Sequence, residues 1–93
     1  METTKQLFLQ IHPSDNVLVA LRDLQKGTLI NWEGKQFELL QDVAAKHKFT
    51  ITPLAADAEV YMYGVLVGKV NYALDQGELI STDNLRHAAE DFR

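Results

Sequence analysis

Turn-forming residues are concentrated in the segment IHPSDNV, residues 11–17, which runs directly into the apolar segment VLVAL at residues 17–21. Pro13 fixes its own φ and favours an extended conformation for His12. Asp15 and Asn16 tolerate tight bends and hydrogen-bond to nearby backbone. The stretch therefore predicts a rigid corner between two β-strands.

The same corner also places a histidine and a carboxylate close together in the chain, at His12 and Asp15. Such a pair would suit an imidazole that is oriented for proton transfer, with the carboxylate fixing its tautomer. The alternative is a structural corner in which Asp15 or Asn16 accepts hydrogen bonds from backbone amides. We favour the structural interpretation because turn chemistry accounts for every residue present.

Short apolar runs separated by Gly, Pro, Asp or Asn continue along the chain, which is typical of β-strands. We predict eight strands, near residues 7–11, 17–21, 28–32, 36–40, 48–52, 59–63, 66–72 and 78–81. Residues 33–35, Glu-Gly-Lys, are predicted to form a hairpin tip. Only residues 84–92 have a helical composition, which predicts at most a short C-terminal helix.

A weak internal repeat favours a compact, loop-rich all-β fold. In each copy an apolar residue is followed three positions later by a turn-compatible or polar residue and six positions later by another apolar residue. The copies are Leu24/Gly27/Ile30, Val43/Lys46/Phe49, Leu54/Asp57/Val60 and Leu74/Gly77/Ile80. The gap from the first copy to the second nearly equals the gap from the third to the fourth, which indicates two similar halves packed together.

Length, charge and cysteine content exclude several classes of protein. A chain of 93 residues forms one small domain with one modest core. Its net charge of −4, without a basic stripe, argues against binding to nucleic acid or to anionic membranes. The absence of cysteine excludes disulfides, thiolate metal sites and thiol nucleophiles. No segment resembles a signal peptide or a membrane span, so we predict a cytoplasmic protein.

Several motifs, in order along nearly the whole chain, resemble the amino-terminal domain of the altronate dehydratase and galactarate dehydratase family. They are HPSDNV (residues 12–17), VALRDLQKG (19–27), QDV (41–43), HKF (47–49), YGVLVGK (63–69) and NLRHAAE (84–90). The resemblance implies an all-β fold of the β-clip type, a small SAF-like domain over residues 1–84. Residues 85–93 would then be a C-terminal tail or linker toward a catalytic region.

The resemblance also implies an accessory role in a hydro-lyase that converts D-altronate to 2-keto-3-deoxy-gluconate and water. The catalytic body of the family lies in a much longer carboxy-terminal region, so no catalytic residue is assigned here. Expected partners are that region, or a separate large subunit, and a sugar-acid substrate; homo-oligomerisation stays open. The alternative is an independent carbohydrate-binding or assembly-chaperone module, because fold does not fix function.

A divalent metal, typically iron, is implied for the whole enzyme but not for this domain. After Gly77 and Glu78 the family often carries a His-x-His-x-His-Asn run, whereas this chain has LISTDN at residues 79–84. Three imidazoles, the usual ligands for such metals, are therefore missing, and only Asn84 is retained. His87, three residues beyond Asn84, is an alternative imidazole ligand, but its spacing alone does not assign it to a metal. The metal ligands stay unknown.

The strongest candidate for ligand binding is the pair His47 and Lys48. Together with Lys46, the pair concentrates positive charge in an otherwise acidic chain, and a sugar-acid carboxylate needs such a counter-charge. The alternative is that Lys48 lies along apolar surface and His47 ends the strand. Lys69 follows two glycines whose main role we predict to be geometric. The candidate substrate-binding residues are His47, Lys48, Lys69 and Asn84.

Overall fold

The computed structural model describes residues 7–87. This part of the chain contains nine short strands in three antiparallel sheets. They are β1 (Phe8–Leu9), β2 (Val17–Ala20), β3 (Leu29–Trp32), β4 (Lys35–Glu38), β5 (Lys48–Thr50), β6 (Glu59–Met62), β7 (Val65–Val70), β8 (Leu79–Ile80) and β9 (Leu85–His87). These residues contain no helix. The predicted all-β class, the eight predicted strands and the hairpin tip at Glu33–Gly34 are confirmed.

The predicted C-terminal helix is wrong for Leu85–His87, which form β9 beside β7. Gly68 permits this pairing, because a Cβ there would collide with the carbonyl oxygen of Arg86. The helical composition of the segment is a local preference, and pairing with β7 overrides it. The rest of the predicted helix, residues 88–92, lies outside the described residues. The strand follows residue 84, where we placed the end of the domain.

The four-stranded sheet, in the order β1-β2-β5-β8, lies between two hydrophobic cores. The prediction of one modest core is therefore wrong, because both faces of this sheet are covered by a hairpin. Because neighbouring residues of a strand point to opposite faces, Leu18 of β2 enters one core and Val17 enters the other. The hairpin β3–β4 covers the first core through Ile30 and Phe37. The hairpin β6–β7 covers the second core through Val60 and Val70.

The internal repeat predicted from the sequence is present in the structure. The first residues of the copies form two isolated bridges, Leu24 with Val43 and Leu54 with Leu74. The fourth residue of every copy has a positive φ: Gly27 (89°), Lys46 (76°), Asp57 (70°) and Gly77 (84°). The seventh residues, Ile30, Phe49, Val60 and Ile80, are all buried. Each copy is thus a loop that reverses the chain and delivers an apolar residue to a core.

The two halves of the domain correspond position by position, apart from one inserted residue. Gly27 donates its N–H to Leu39 O (2.8 Å), and Asp57, at the equivalent place in the second half, donates to Val70 O (2.9 Å). A β-bulge in the second hairpin adds one residue: Val60 pairs with Gly68 and Tyr61 with Leu66, so that Val67 is left over. Equivalent residues of the two halves are therefore one position further apart in the chain after the bulge than before it. The bulge explains the unequal spacing of the repeat.

The corner at residues 11–17 holds the second hairpin in place. The buried Asp15 carboxylate accepts hydrogen bonds from the N–H groups of Tyr63 (3.0 Å) and Gly64 (2.9 Å) at the hairpin tip, and from His12 N–H (3.1 Å). His12 Nδ1 accepts from Ser14 N–H (3.0 Å). The structural interpretation of the corner is confirmed, since the carboxylate faces backbone amides.

Candidate functional site

The predicted pair His47 and Lys48 lies in a cleft at one end of the four-stranded sheet. The cleft has a volume of about 440 Å³ and is lined by Lys46, His47, Lys48, Ile80, Ser81 and Thr82; we call it the basic cleft. Pairing of Lys48 with Ile80 across β5 and β8 brings the turn after β8 against the basic loop, residues 46–48. Two hydroxyl groups therefore stand beside three nitrogen-bearing side chains.

The backbone of the basic loop is held firmly while its side chains face outward. Lys46 donates its N–H to Ala20 O (2.7 Å), and Ala20 donates its own N–H to His47 O (2.8 Å). The side chains of Lys46 and His47 are largely accessible, whereas Lys48 is half-buried. The loop thus presents cations and an imidazole from a fixed backbone.

Lys46 adopts the left-handed backbone conformation, with φ of 76°. For a residue with a Cβ this conformation costs roughly 1 kcal/mol. The equivalent position in the second half is Gly77, and the next one is Glu78 in place of His47. The same loop geometry is therefore built in the second half without any positive charge, so the fold does not require the charges of the basic loop.

Lys48 has a structural contact in addition to its place in the basic cleft. Its ammonium nitrogen lies 5.8 Å from the centroid of the Tyr63 ring, within range of a cation–π interaction. Its side chain also forms part of a second cleft of about 530 Å³, which we call the apolar groove. The groove is lined by Lys48, Met62, Leu66, Val67, Ile80, Ser81, Thr82 and Leu85. It shares Lys48, Ile80, Ser81 and Thr82 with the basic cleft, so the two are continuous.

Asn84, a predicted site residue, holds the turn that follows β8. It is 5% exposed; its Oδ1 accepts from Ser81 N–H (2.9 Å) and its Nδ2 donates to Leu79 O (2.8 Å). Both ends of the amide are therefore engaged within the fold. Asn84 positions Ser81 and Thr82 and stays outside the ligand-facing set that we propose below.

Lys69, the fourth predicted site residue, lies on β7 opposite Glu59 and Arg86, outside both clefts. Its charge acts on Asp57, which forms an ion pair with Arg86. The hydrogen bond from Arg86 and its positive charge hold the pKa of the Asp57 carboxyl below its ordinary value. Arg86 also donates to Val70 O (3.3 Å), so this cluster fastens β9 to the second hairpin. The structure brings His47 and Lys48 together but not Lys69.

Sequence reasoning missed Ser81 and Thr82, which complete the basic cleft. They lie far from Lys48 along the chain and meet it only through the pairing of β5 with β8. Hydroxyl groups in a turn carry no local sign of a site, since Ser and Thr are common there for conformational reasons.

The side chains of residues 7–86 do not form a metal site by themselves. Among the described residues, no three His, Cys, Asp or Glu side chains are grouped so that they could hold a metal ion. The positions where the family carries its histidine run form β8 and the following turn. These residues are therefore not assigned as ligands of the metal that the resemblance implies. No helix among them is long and apolar enough to cross a membrane.

Comparison with known proteins agrees with the resemblance seen in the sequence. A family model described as the altronate/galactarate dehydratase SAF domain matches residues 6–88. Altronate dehydratase of Escherichia coli (strain K12) is 38% identical over 79 residues, which are 85% of this chain and 16% of that protein. Altronate dehydratase of Bacillus subtilis (strain 168) is 31% identical over 86 residues, or 92% and 17%.

A third relative, galactarate dehydratase (L-threo-forming) of Escherichia coli (strain K12), is 28% identical over 81 residues, which are 85% of this chain and 15% of that protein. The chain thus spans about a sixth of the length of each of these relatives. The residues of the basic loop and of the apolar groove all fall within the segment that the family model matches.

Proposed function

Because the chain belongs to the SAF-domain family of altronate and galactarate dehydratases, we propose that it is the accessory domain of an altronate-type dehydratase. The reaction is the loss of water from D-altronate to give 2-keto-3-deoxy-gluconate. We choose altronate over galactarate because the two relatives of higher identity are altronate dehydratases. The partner is the catalytic region, as part of the same chain or as a large subunit.

The observation that carries the accessory role is the short span of the match. The relatives named as dehydratases are about six times as long as the segment that resembles this chain. The catalytic groups and the implied divalent metal then belong to the remaining five-sixths. This domain contributes binding groups at the edge of the active site.

Those binding groups are the side chains of the basic cleft. A sugar acid offers one carboxylate and several hydroxyls. Lys46, His47 and Lys48 supply donors for the carboxylate, and charge-assisted bonds of this kind are roughly twice as strong as neutral ones. Ser81 and Thr82 can donate to and accept from substrate hydroxyls. In a chain of net charge −4, this local cluster also favours approach of an anion.

The accessory role predicts that the 93-residue chain alone does not dehydrate D-altronate. The assay measures formation of the 2-keto-3-deoxy acid with Fe²⁺ present, and the positive control is the intact Escherichia coli altronate dehydratase. Turnover by the chain alone would overturn the accessory role. Binding of neutral sugars without preference for the acid would favour the carbohydrate-binding alternative.

Lys46→Gly separates the binding role of the basic loop from its structural role. Glycine relieves the left-handed strain, so we expect the unfolding free energy to rise by about 0.5–1 kcal/mol and Tm by about 3 °C. Loss of the ammonium should weaken substrate binding about tenfold. Binding is measured as chemical-shift changes on titration of D-altronate into the isotope-labelled chain.

The binding measurement has a matched control and a clear contrary outcome. Lys35→Ala removes a lysine of equal charge at the tip of the first hairpin, outside the basic cleft, and should leave binding unchanged. His47→Ala combined with Lys48→Ala should weaken binding at least as much as Lys46→Gly does. If altronate moves no amide near residues 46–48 and 81–82, or if the double variant binds as the parent does, the ligand role of this loop is wrong.

A further inference from the structure

The β-bulge in the second hairpin opens the apolar groove. In a regular strand, the consecutive residues Leu66 and Val67 would point to opposite faces. Both line the groove, because the bulge makes Val67 an extra residue between the pairs Tyr61–Leu66 and Val60–Gly68. Bulges re-aim side chains in this way and are over-represented next to functional sites. Leu66 remains 39% exposed and its neighbour Val65 55% exposed.

In the first half of the domain, aromatic rings cover the residue that is equivalent to Ile80. Phe49, the equivalent of Ile80, is fully buried and packs edge-on against the rings of Phe8 (6.3 Å between centroids) and Phe37 (6.4 Å). Trp32 and Leu79 add further cover. The pairing of β3 with β4 is regular throughout. Among the described residues, the core around Phe49 is thus covered by aromatic rings, whereas the core around Ile80 has an apolar groove beside it.

From this asymmetry we infer that the apolar groove docks the catalytic region of the dehydratase, which inserts an apolar side chain there beside Lys48. The inference rests on the proposed function, because it takes the partner to be the remaining five-sixths of the enzyme. In the relatives, that much polypeptide accompanies the segment that matches this chain.

The chemistry of the groove selects a protein side chain over the sugar acid. Five of its lining residues are apolar: Met62, Leu66, Val67, Ile80 and Leu85. A polyhydroxylated substrate would lose hydration against such a wall, whereas an apolar side chain gains free energy in proportion to the area that it removes from water. Covering the groove also removes water from Lys48, and the substrate carboxylate proposed for the basic cleft supplies the anionic partner that its ammonium then requires.

Docking occurs by insertion of side chains and not by addition of a strand. The outer edge of β8 is closed, because Leu79 N–H donates to Gln41 Oε1 (2.9 Å) and Leu79 O accepts from Asn84 Nδ2 (2.8 Å). A strand added to this edge would find these two backbone groups occupied. Since the groove and the basic cleft are continuous, a partner seated in the groove places the basic loop at the margin of the interface.

The test is hydroxyl-radical footprinting of the chain alone and of a chimera in which it replaces the matching segment of Escherichia coli altronate dehydratase. We expect modification of Met62 and Leu66 to fall about fivefold or more in the chimera, because side chains at the centre of an interface lose contact with solvent. Leu29, which is 49% exposed on the first hairpin, is the internal control and should keep its rate. The footprint requires no enzymatic activity.

A second arm compares Leu66→Glu with Leu29→Glu in the chimera. Both leucines are exposed, so both variants should fold, and only Leu66→Glu should restore modification of Met62 and reduce turnover about tenfold. Equal modification of Leu66 in the chimera and in the isolated chain would overturn the docking inference while leaving the altronate titration to decide the proposed function. Protection that develops in the isolated chain as its concentration is raised would also overturn it, in favour of a second copy of this chain.

Discussion

Asp15→Ala is expected to lower the free energy of unfolding by about 3 kcal/mol, since it removes the acceptor of three backbone hydrogen bonds. The carboxylate is buried and receives the N–H groups of His12, Tyr63 and Gly64. Each bond to a charged acceptor contributes roughly 1.5–3 kcal/mol, and the partly buried donors at the hairpin tip would be left without an acceptor. The total is less than the sum because the three bonds share one carboxylate.

The measurement is urea unfolding followed by the fluorescence of Trp32, the single tryptophan of the chain. Asp42→Ala is a matched control: its carboxylate accepts one backbone N–H, from Lys26 at 2.8 Å, on an exposed loop, and its loss should cost about 1 kcal/mol. Asp15→Asn keeps the size of the side chain and one acceptor oxygen, so its loss of unfolding free energy should lie between those of Asp15→Ala and Asp42→Ala. Equal costs for Asp15→Ala and Asp42→Ala would show that the corner does not hold the second hairpin.

Gly77→Ala is expected to destabilise the chain by about 3 kcal/mol, through backbone strain and a collision together. The φ of Gly77 is +84°, and a Cβ there would lie 2.5 Å from the carbonyl oxygen of Glu38 and 3.1 Å from a ring carbon of Phe37. Relief of the collision would move the loop away from β4. That movement would also break the hydrogen bond from Leu40 N–H to Gly77 O, at 3.1 Å.

Gly27→Ala separates the two causes. Gly27 has nearly the same φ, +89°, at the equivalent position of another copy of the repeat, but a Cβ there meets nothing within 4 Å. The loss of unfolding free energy in Gly27→Ala should therefore come from backbone strain alone, about 1 kcal/mol. Urea midpoints of the two variants give the difference directly. If Gly27→Ala is as harmful as Gly77→Ala, close packing between the loop and β4 contributes nothing.

The loop repeat could be predicted because its signals are local. An apolar residue, a turn position and a second apolar residue recur within a short stretch, and glycine at two of the turn positions, Gly27 and Gly77, indicates a left-handed backbone. Lys46 and Asp57 give no such indication by themselves. Only alignment of their copies with the copies that contain glycine indicates that they too have a left-handed backbone. The extra residue between the halves was visible as unequal spacing, but its cause, the bulge at Val67, was not.

The C-terminal strand could not be predicted, because the signal for it is not local in the chain. Residues 84–90 carry helix-favouring side chains, and nothing among them indicates that a partner strand is available. The partner is β7, and the position that admits it is Gly68, which is distant from Leu85 in the chain. Preference for a helix amounts to tenths of a kcal/mol per residue, which a set of backbone hydrogen bonds readily exceeds.

For the candidate site, the types of chemical group are evident in the sequence, whereas their arrangement in space depends on the tertiary fold. The two ammonium groups of Lys46 and Lys48 and the imidazole of His47 are evident in the chain because the three residues are adjacent. Their placement beside Ser81 and Thr82, the withdrawal of Asn84 into a turn, and the separation of Lys69 depend on strand pairing.

The apolar groove depends on tertiary structure entirely. Its walls come from β5, the second hairpin, and β8 with the segment that follows it, which lie between Lys48 and Leu85 in the chain. Local turn chemistry and strand alternation are encoded within a few residues, so the corner at residues 11–17 and the repeat predict the fold class. A cleft forms only where strands that are distant in the chain leave a surface uncovered. Its position therefore depends on how the two halves of the domain pack.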